Sequence, residues 1–241
     1  MDYKEYEQQL SRAFELNGLV GLLDSDKSLK LYEFSQILVE SNKKFNLTAI
    51  TDEKEIILKH FVDCVSIAKY IPRSSSVVDV GCGAGFPSIP LSIVREDLKI
   101  AALDSTQKRV NFVESVAREL NLLNISTVCA RAEEHSNTNR EKYDVCVSRA
   151  VARLNVLAEL CIPLVKVGGL FLAMKSVKGD EEYAEAESGI VALGCNLRHT
   201  EIDAFSYEGV NSERKLFVLA KTRKTPAEYP RKYSQIVKKP L

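Results

Sequence analysis

The chain has 241 residues, 45% hydrophobic and 27% charged, with 33 basic side chains balanced by 33 acidic ones. That make-up describes a folded protein of one or two domains and excludes a disordered or collagen-like chain. No apolar run reaches the roughly 18 residues of a membrane helix, and the charged start Met1-Asp2-Tyr3-Lys4-Glu5 lacks the apolar stretch of a signal peptide, so a cytoplasmic protein is expected.

Apolar residues recur at three and four in Tyr3, Tyr6, Leu10, Ala13 and Phe14, which predicts a first helix stopped by Asn17-Gly18 and Gly21. Leu31, Phe34 and Leu38 predict a second. A third carries Ile57, His60, Phe61, Cys64, Val65 and Ala68, with Asp52 as its N-cap. Lys43 to Thr48 is expected to connect the last two. His60 and Asp63 stand three apart and share a helix face, where the pair either holds a substrate or a loop or makes a hydrogen bond that orients packing.

From Val77 short β-rich runs alternate with amphipathic helices, the pattern of parallel βαβ units. Strands are expected at Val77–Val80, Lys99–Leu103, Ile125–Cys129, Tyr143–Val147 and Leu170–Met174. An acidic helix follows, Asp180–Leu193, then two strands near Asn196–Ile202 and Arg214–Ala220 that form a late edge hairpin. The fold class is α/β, a doubly wound seven-stranded sheet behind an N-terminal helical extension. Boundaries are expected at 1–72, 73–222 and 223–241.

From Lys221 to Leu241 there are seven basic residues and one acid, Glu228, which leaves 26 basic and 32 acidic in the rest. Such a tail reads either as an arm for an anionic partner or as a solvated terminus. The six cysteines show no C-x-x-C spacing and sit mostly in apolar runs, so buried reduced thiols are expected and no metal site.

In doubly wound sheets ligands bind beyond the carboxyl ends of the strands. The residues there are Asp79 with its loop, Asp104, Arg131-Ala132-Glu133, Ser148-Arg149 and Lys175. The loop, Gly81-Cys82-Gly83-Ala84-Gly85-Phe86-Pro87, follows a strand and opens a helix. Its spacing is G-x-G-x-G, one residue short of the dinucleotide fingerprint, and Asp79 would oppose a pyrophosphate. An acid at that place suits a ligand with an ammonium and a sulfonium, which is S-adenosylmethionine. Asp104 closes the second strand and can accept from both ribose hydroxyls; Ala132 and Glu133 can offer acceptors to the adenine amine.

The stretch Asp79-Val80-Gly81-Cys82-Gly83-Ala84-Gly85-Phe86-Pro87-Ser88-Ile89-Pro90-Leu91 resembles the glycine loop of the bacterial small-subunit ribosomal RNA methyltransferase G family, also called glucose-inhibited division protein B. The resemblance continues in Leu103-Asp104-Ser105, Lys108-Arg109-Val110, Phe112, Arg131-Ala132-Glu133, Ser148-Arg149-Ala150-Val151-Ala152, Ala173-Met174-Lys175, Phe45-Asn46-Leu47-Thr48, and His60 with Asp63. It implies a Rossmann-like class I methyltransferase fold and methyl transfer from S-adenosylmethionine to N7 of one guanine in 16S rRNA, free or in the small ribosomal subunit. It further implies that Gly81, Phe86, Ala132, Glu133 and Arg149 contact the cofactor. Cys64 departs from the family's usual Ser, and the tail keeps the basic ends of one found in related Gram-positive members while its middle differs.

Guanine N7 carries a free lone pair, so in-line transfer needs no general base, and positioning supplies most of the rate. The chain agrees by lacking the Asn- or Asp-Pro-Pro-aromatic motif of amine methylases after the fourth strand. Arg149 is expected to donate to the guanine edge or a phosphate, and Lys175 to meet the RNA backbone. Rival readings are a small-molecule methyltransferase, a nicotinamide oxidoreductase and a non-catalytic RNA-assembly factor. A monomer is the expected state.

Overall fold

A computed structural model describes residues 2–149, 151–176 and 179–241. The first helix, α1 (Tyr3–Leu16), buries Tyr6, Leu10, Ala13 and Phe14, and Asp2 caps it by accepting from the Glu5 N–H. The second, α2 (Ser25–Phe45), runs further than its apolar pattern. It includes Lys43 and Lys44 and stops at Asn46, whose φ is 48°. Two lysines in a last turn favour the helix dipole, and Asn tolerates the left-handed cap; half of the expected connector is therefore helical.

Asp52 does cap the next helix, through the Glu55 N–H. That helix changes character along its length: α3 (Glu53–Ile56) passes into a π-helical segment (Ile57–Val62), then α4 (Asp63–Ser66) and a 3-10 turn (Ile67–Tyr70). π-helical turns are rare and concentrate at functional sites; this one carries Lys59 and His60.

All seven expected strands are present: β1 (Ser76–Val80), β2 (Lys99–Asp104), β3 (Ile125–Cys129), β4 (Tyr143–Arg149), β5 (Val165–Lys175), β6 (Cys195–Tyr207) and β7 (Val210–Lys221). They form one sheet in the order β3-β2-β1-β4-β5-β7-β6. β7 alone points opposite to the other six strands. The hairpin strands are longer than expected because they meet at Glu208-Gly209, both at positive φ (45° and 83°), a turn whose twist matches that of paired strands. The helices between and after the strands are α5 (Ser88–Val94), α6 (Gln107–Glu119), α7 (Ala132–Asn139), α8 (Leu154–Cys161), α9 (Gly179–Ala192) and α10 (Tyr233–Lys238).

Alternation along β1 sends Val78 and Val80 into the core shared with α8 and α9, while Val77 packs on the opposite face. Asp79 shares that opposite face, where Ser88 of α5 donates its N–H to the carboxylate at 3.1 Å. The N-terminal helices cover the same side: Phe14, Phe34 and Phe61 cluster with Phe86, Phe112 and Phe205. With α5 on one face and α8 on the other, chain direction diverges between β1 and β4 and opens a crevice at their carboxyl ends.

The basic segment after β7 is folded onto the molecule. Arg231 forms a bidentate pair with Glu159 of α8, whose side chain is wholly buried, at 2.5 to 3.2 Å. Arg140 donates to the carbonyls of Thr225, Pro226 and Tyr229 at 2.5 to 2.8 Å. Lys221 is buried and donates to Ile162 O and Thr225 Oγ1, and Ile236 is buried in the core under α8. Three of the seven bases, counting Arg223 on Val191 O, thus bond to the chain itself. Five cysteines are buried as expected; Cys129 is exposed, because it ends the edge strand β3.

Candidate active site

A cavity of about 900 Å³ opens where β1 to β5 end. The glycine loop forms its floor. Gly81 and Cys82 donate their N–H groups to Leu103 O at 2.8 and 3.0 Å, which folds the loop onto β2. Gly81 has φ 76°, and a Cβ there would meet Val151 Cγ2 at 2.3 Å, so only glycine fits. Gly83 donates to Asp104 Oδ2 at 3.1 Å.

Asp104 is 5% exposed and stands on the cavity wall. Its Oδ1 accepts from Thr106 N at 2.8 Å and its Oδ2 also meets Arg109 at 3.5 Å. Oδ2 thus accepts twice, while Oδ1 keeps a second lone-pair direction for a ligand hydroxyl. Ala132 and Glu133 reach the wall as the first residues of α7, where amide N–H groups have no intrahelical partner. Gly81, Gly83, Phe86 and Arg149 also line the cavity.

Asp79 and Gly85, two of the expected cofactor contacts, lie behind the wall. Asp79 is fully buried; its Oδ1 has no hydrogen-bond partner among the described residues, and burial pushes its pKa up to about 7. It braces the loop through Ser88 N. A Cβ on Gly85 would strike Ile89 Cδ1 at 2.4 Å, so this glycine serves loop-to-helix packing.

Arg149, expected to donate to the guanine edge or a phosphate, ends β4 and turns its donors toward the N-terminal helices. Nη1 bonds Lys59 O at 3.0 Å and Asp63 Oδ2 at 2.8 Å, and Nη2 meets His60 Nδ1 at 3.2 Å. A guanidinium only donates, so Nδ1 is the acceptor and the ring proton sits on Nε2. It then donates to Thr48 Oγ1 at 3.0 Å. Burial first, and the Arg149 charge second, depress the His60 pKa to about 3. Phe86 stacks on the imidazole with centroids 4.2 Å apart, and the Arg149 guanidinium lies 5.2 Å from the same ring. Arg214 of β7 shares Asp63 Oδ2 at 3.2 Å. His60 and Asp63 therefore meet through Arg149, as a clamp that fixes Phe86 and Thr48.

Lys175, expected to meet RNA, is 8% exposed; its Nζ donates to Ala152 O at 2.6 Å and pairs with Glu182 at 2.7 Å. Ala150 lies outside the described residues. Thr48, Arg214 and Tyr233 line the cavity without having been assigned a role from sequence. Thr48 sat inside a recognised motif, and the other two had no local signal. Seven cations line the cavity (Lys59, Arg109, Arg131, Arg149, Arg153, Lys175 and Arg214) against three acids, Asp104, Glu133 and Glu182.

The family model for rRNA small subunit methyltransferase G matches residues 27–208. The ribosomal RNA small subunit methyltransferase G of Staphylococcus carnosus is 47% identical over 223 residues, 90% of this chain and 92% of that protein. The protein of the same name from Listeria monocytogenes serotype 4b is 45% identical over 217 residues, 88% and 90% of the two chains. Among solved structures, M. jannaschii TYW2 in complex with AdoMet superposes with a TM-score of 0.52 at 13% identity, covering 66% of this chain and 74% of that one, a likeness of fold.

Proposed function

Because the chain belongs to the rRNA small subunit methyltransferase G family, a family of S-adenosylmethionine-dependent rRNA methyltransferases, we propose that it methylates N7 of one guanine in 16S rRNA. Gly81 and Gly83 would cradle the cofactor, Asp104 would accept from its ribose, and Ala132 and Glu133 would meet its adenine. When bound, S-adenosylmethionine supplies an electrophilic methyl: the N7 lone pair forms the new N–C bond, the sulfur keeps the pair of the broken C–S bond, and the positive charge passes to the guanine.

The observation that carries the reading is the state of His60. It is the one histidine on the cavity wall among the described residues, its Nδ1 lone pair is occupied by Arg149, and its pKa is held near 3. It cannot take a proton from a nucleophile, and N7 has none to give. The work left to the chain is orientation and exclusion of water. Phe86 offers a fixed apolar face, and Thr48 Oγ1, which already accepts from His60 and from Ile50 N at 3.1 Å, has its own hydrogen to donate. Arg149 acts as a positioning residue through the Asp63 clamp, and Lys175 by holding Glu182 and the Ala152 carbonyl. The excess of cations around the cavity suits a polyanionic substrate.

The test uses methyl-labelled S-adenosylmethionine with unmethylated 16S RNA, free and in small subunits, followed by chemical cleavage at 7-methylguanine. Label at a single guanine is the expected result. Cofactor binding without label in either substrate, or label on another atom, overturns it.

A further inference from the structure

The wall of the cavity nearest β3 includes a residue from a distant part of the chain. Tyr233, the first residue of α10, lines the cavity together with Leu103, Ala130, Ala132 and Leu160. Its ring lies 5.1 Å from the Arg131 guanidinium, and Arg131 immediately precedes Ala132 and Glu133. The tyrosine is held there from both sides. Two residues before it, Arg231 is locked on buried Glu159; three residues after it, Ile236 is buried in the core under α8. Tyr233 is nonetheless 40% exposed, a large side chain on the cavity wall that the strap around it anchors.

Resting on the cofactor reading above, we propose that Tyr233 and Arg131 form the stacking wall for the adenine ring of S-adenosylmethionine, so that the C-terminal strap completes the cofactor site. A purine face stacks well on an aromatic ring and on a guanidinium plane. The position selects adenine over the guanine of the RNA. Arg131 follows β3 and Arg149 ends β4, with β2 and β1 between them. Three strand spacings separate those ends by about 14 Å. Asp104, the ribose acceptor, closes β2 beside the tyrosine end, whereas Phe86, Thr48 and Arg149 gather at the other.

The chain contains no tryptophan, so Tyr233→Trp introduces a unique fluorophore at the proposed wall. Saturating S-adenosylmethionine should change its emission, and methionine alone, which lacks the adenine, should not. In calorimetry on the full chain, Tyr233→Ala should weaken cofactor binding by about fivefold while Tyr233→Phe stays within about twofold of the parent. The proposal is overturned if the parent binds the cofactor normally but the tryptophan does not respond, or if Tyr233→Ala leaves the cofactor Kd unchanged. It is also overturned if Tyr233→Ala raises only the KM for RNA, which would place the ring on the substrate. Absence of cofactor binding by the parent chain overturns both this proposal and the reading beneath it.

Discussion

Asp79 sits behind the glycine loop with one oxygen unbonded among the described residues, and burial raises its pKa from the usual carboxylate range to about 7. The folded chain therefore binds a proton that the unfolded chain releases near pH 4. This contribution to stability is complete below that pH and is lost as pH rises through about 7, by up to about 4 kcal/mol. Asp79→Asn, which keeps an oxygen for Ser88 N, should make the chain more stable than the parent at pH 8 and leave it equal at pH 4, read by urea unfolding. An unchanged pH profile in the variant would show that Asp79 is ionised throughout. His60 contributes with the opposite sign. Its pKa falls from 6.5 to about 3, so its contribution is present above pH 6.5 and is lost as pH falls toward 3. The spacing of His60 and Asp63 made a shared face legible in the sequence. The third partner, Arg149, lies 86 residues beyond Asp63, and no local pattern encodes such a convergence.

At the level of elements, the C-terminal strap is where charge and packing point different ways. A run of lysines and arginines reads as a solvated arm, because the sequence shows the charge and hides the counter-charge. Here the counter-charge is Glu159, within the apolar run of α8, and the arm becomes a strap. Removing one partner of a buried pair costs more than the pair contributes, since a carboxylate is left without compensation. Arg231→Ala should lower unfolding free energy by about 3–5 kcal/mol, and adding Glu159→Gln should recover much of that loss. Denaturant titration of the two variants and the double variant decides; additive losses would mean that the contact contributes no coupling. The longer hairpin strands and the extension of α2 through Lys44 have a related cause: turn and cap chemistry at Glu208-Gly209 and Asn46 sets where those elements end, beyond where the apolar period stops.

For the molecule as a whole, a net charge of zero leaves seven cations and three acids lining the cavity, most of those cations paired with carboxylates on or behind its wall. RNA affinity should fall linearly in log-log terms with added salt. Arg153→Ala, at a rim residue whose side chain is 57% exposed, should reduce that slope by about 0.7 while leaving the cofactor Kd unaltered. Filter binding across a salt series measures it, and an unchanged slope removes Arg153 from the RNA interface. The sheet, its glycine loop and the strand-end carboxylate Asp104 were legible because parallel βαβ units repeat their hydrophobic period and keep ligand residues at strand ends. Asp79 and Gly85 lie on the same motif but one layer deeper, a distinction of depth that a linear pattern does not record.

The strap also sets an order in time. Glu159 is synthesised 72 residues before Arg231, so on the ribosome α8 can dock on the sheet only with its carboxylate still lacking a counter-ion. Segments emerge and fold from the N-terminus onward. The nascent chain thus acquires its strands and glycine loop first and seals the β3 side of the cavity last, when the strap arrives. Maturation of the pocket is tied to synthesis of the strap.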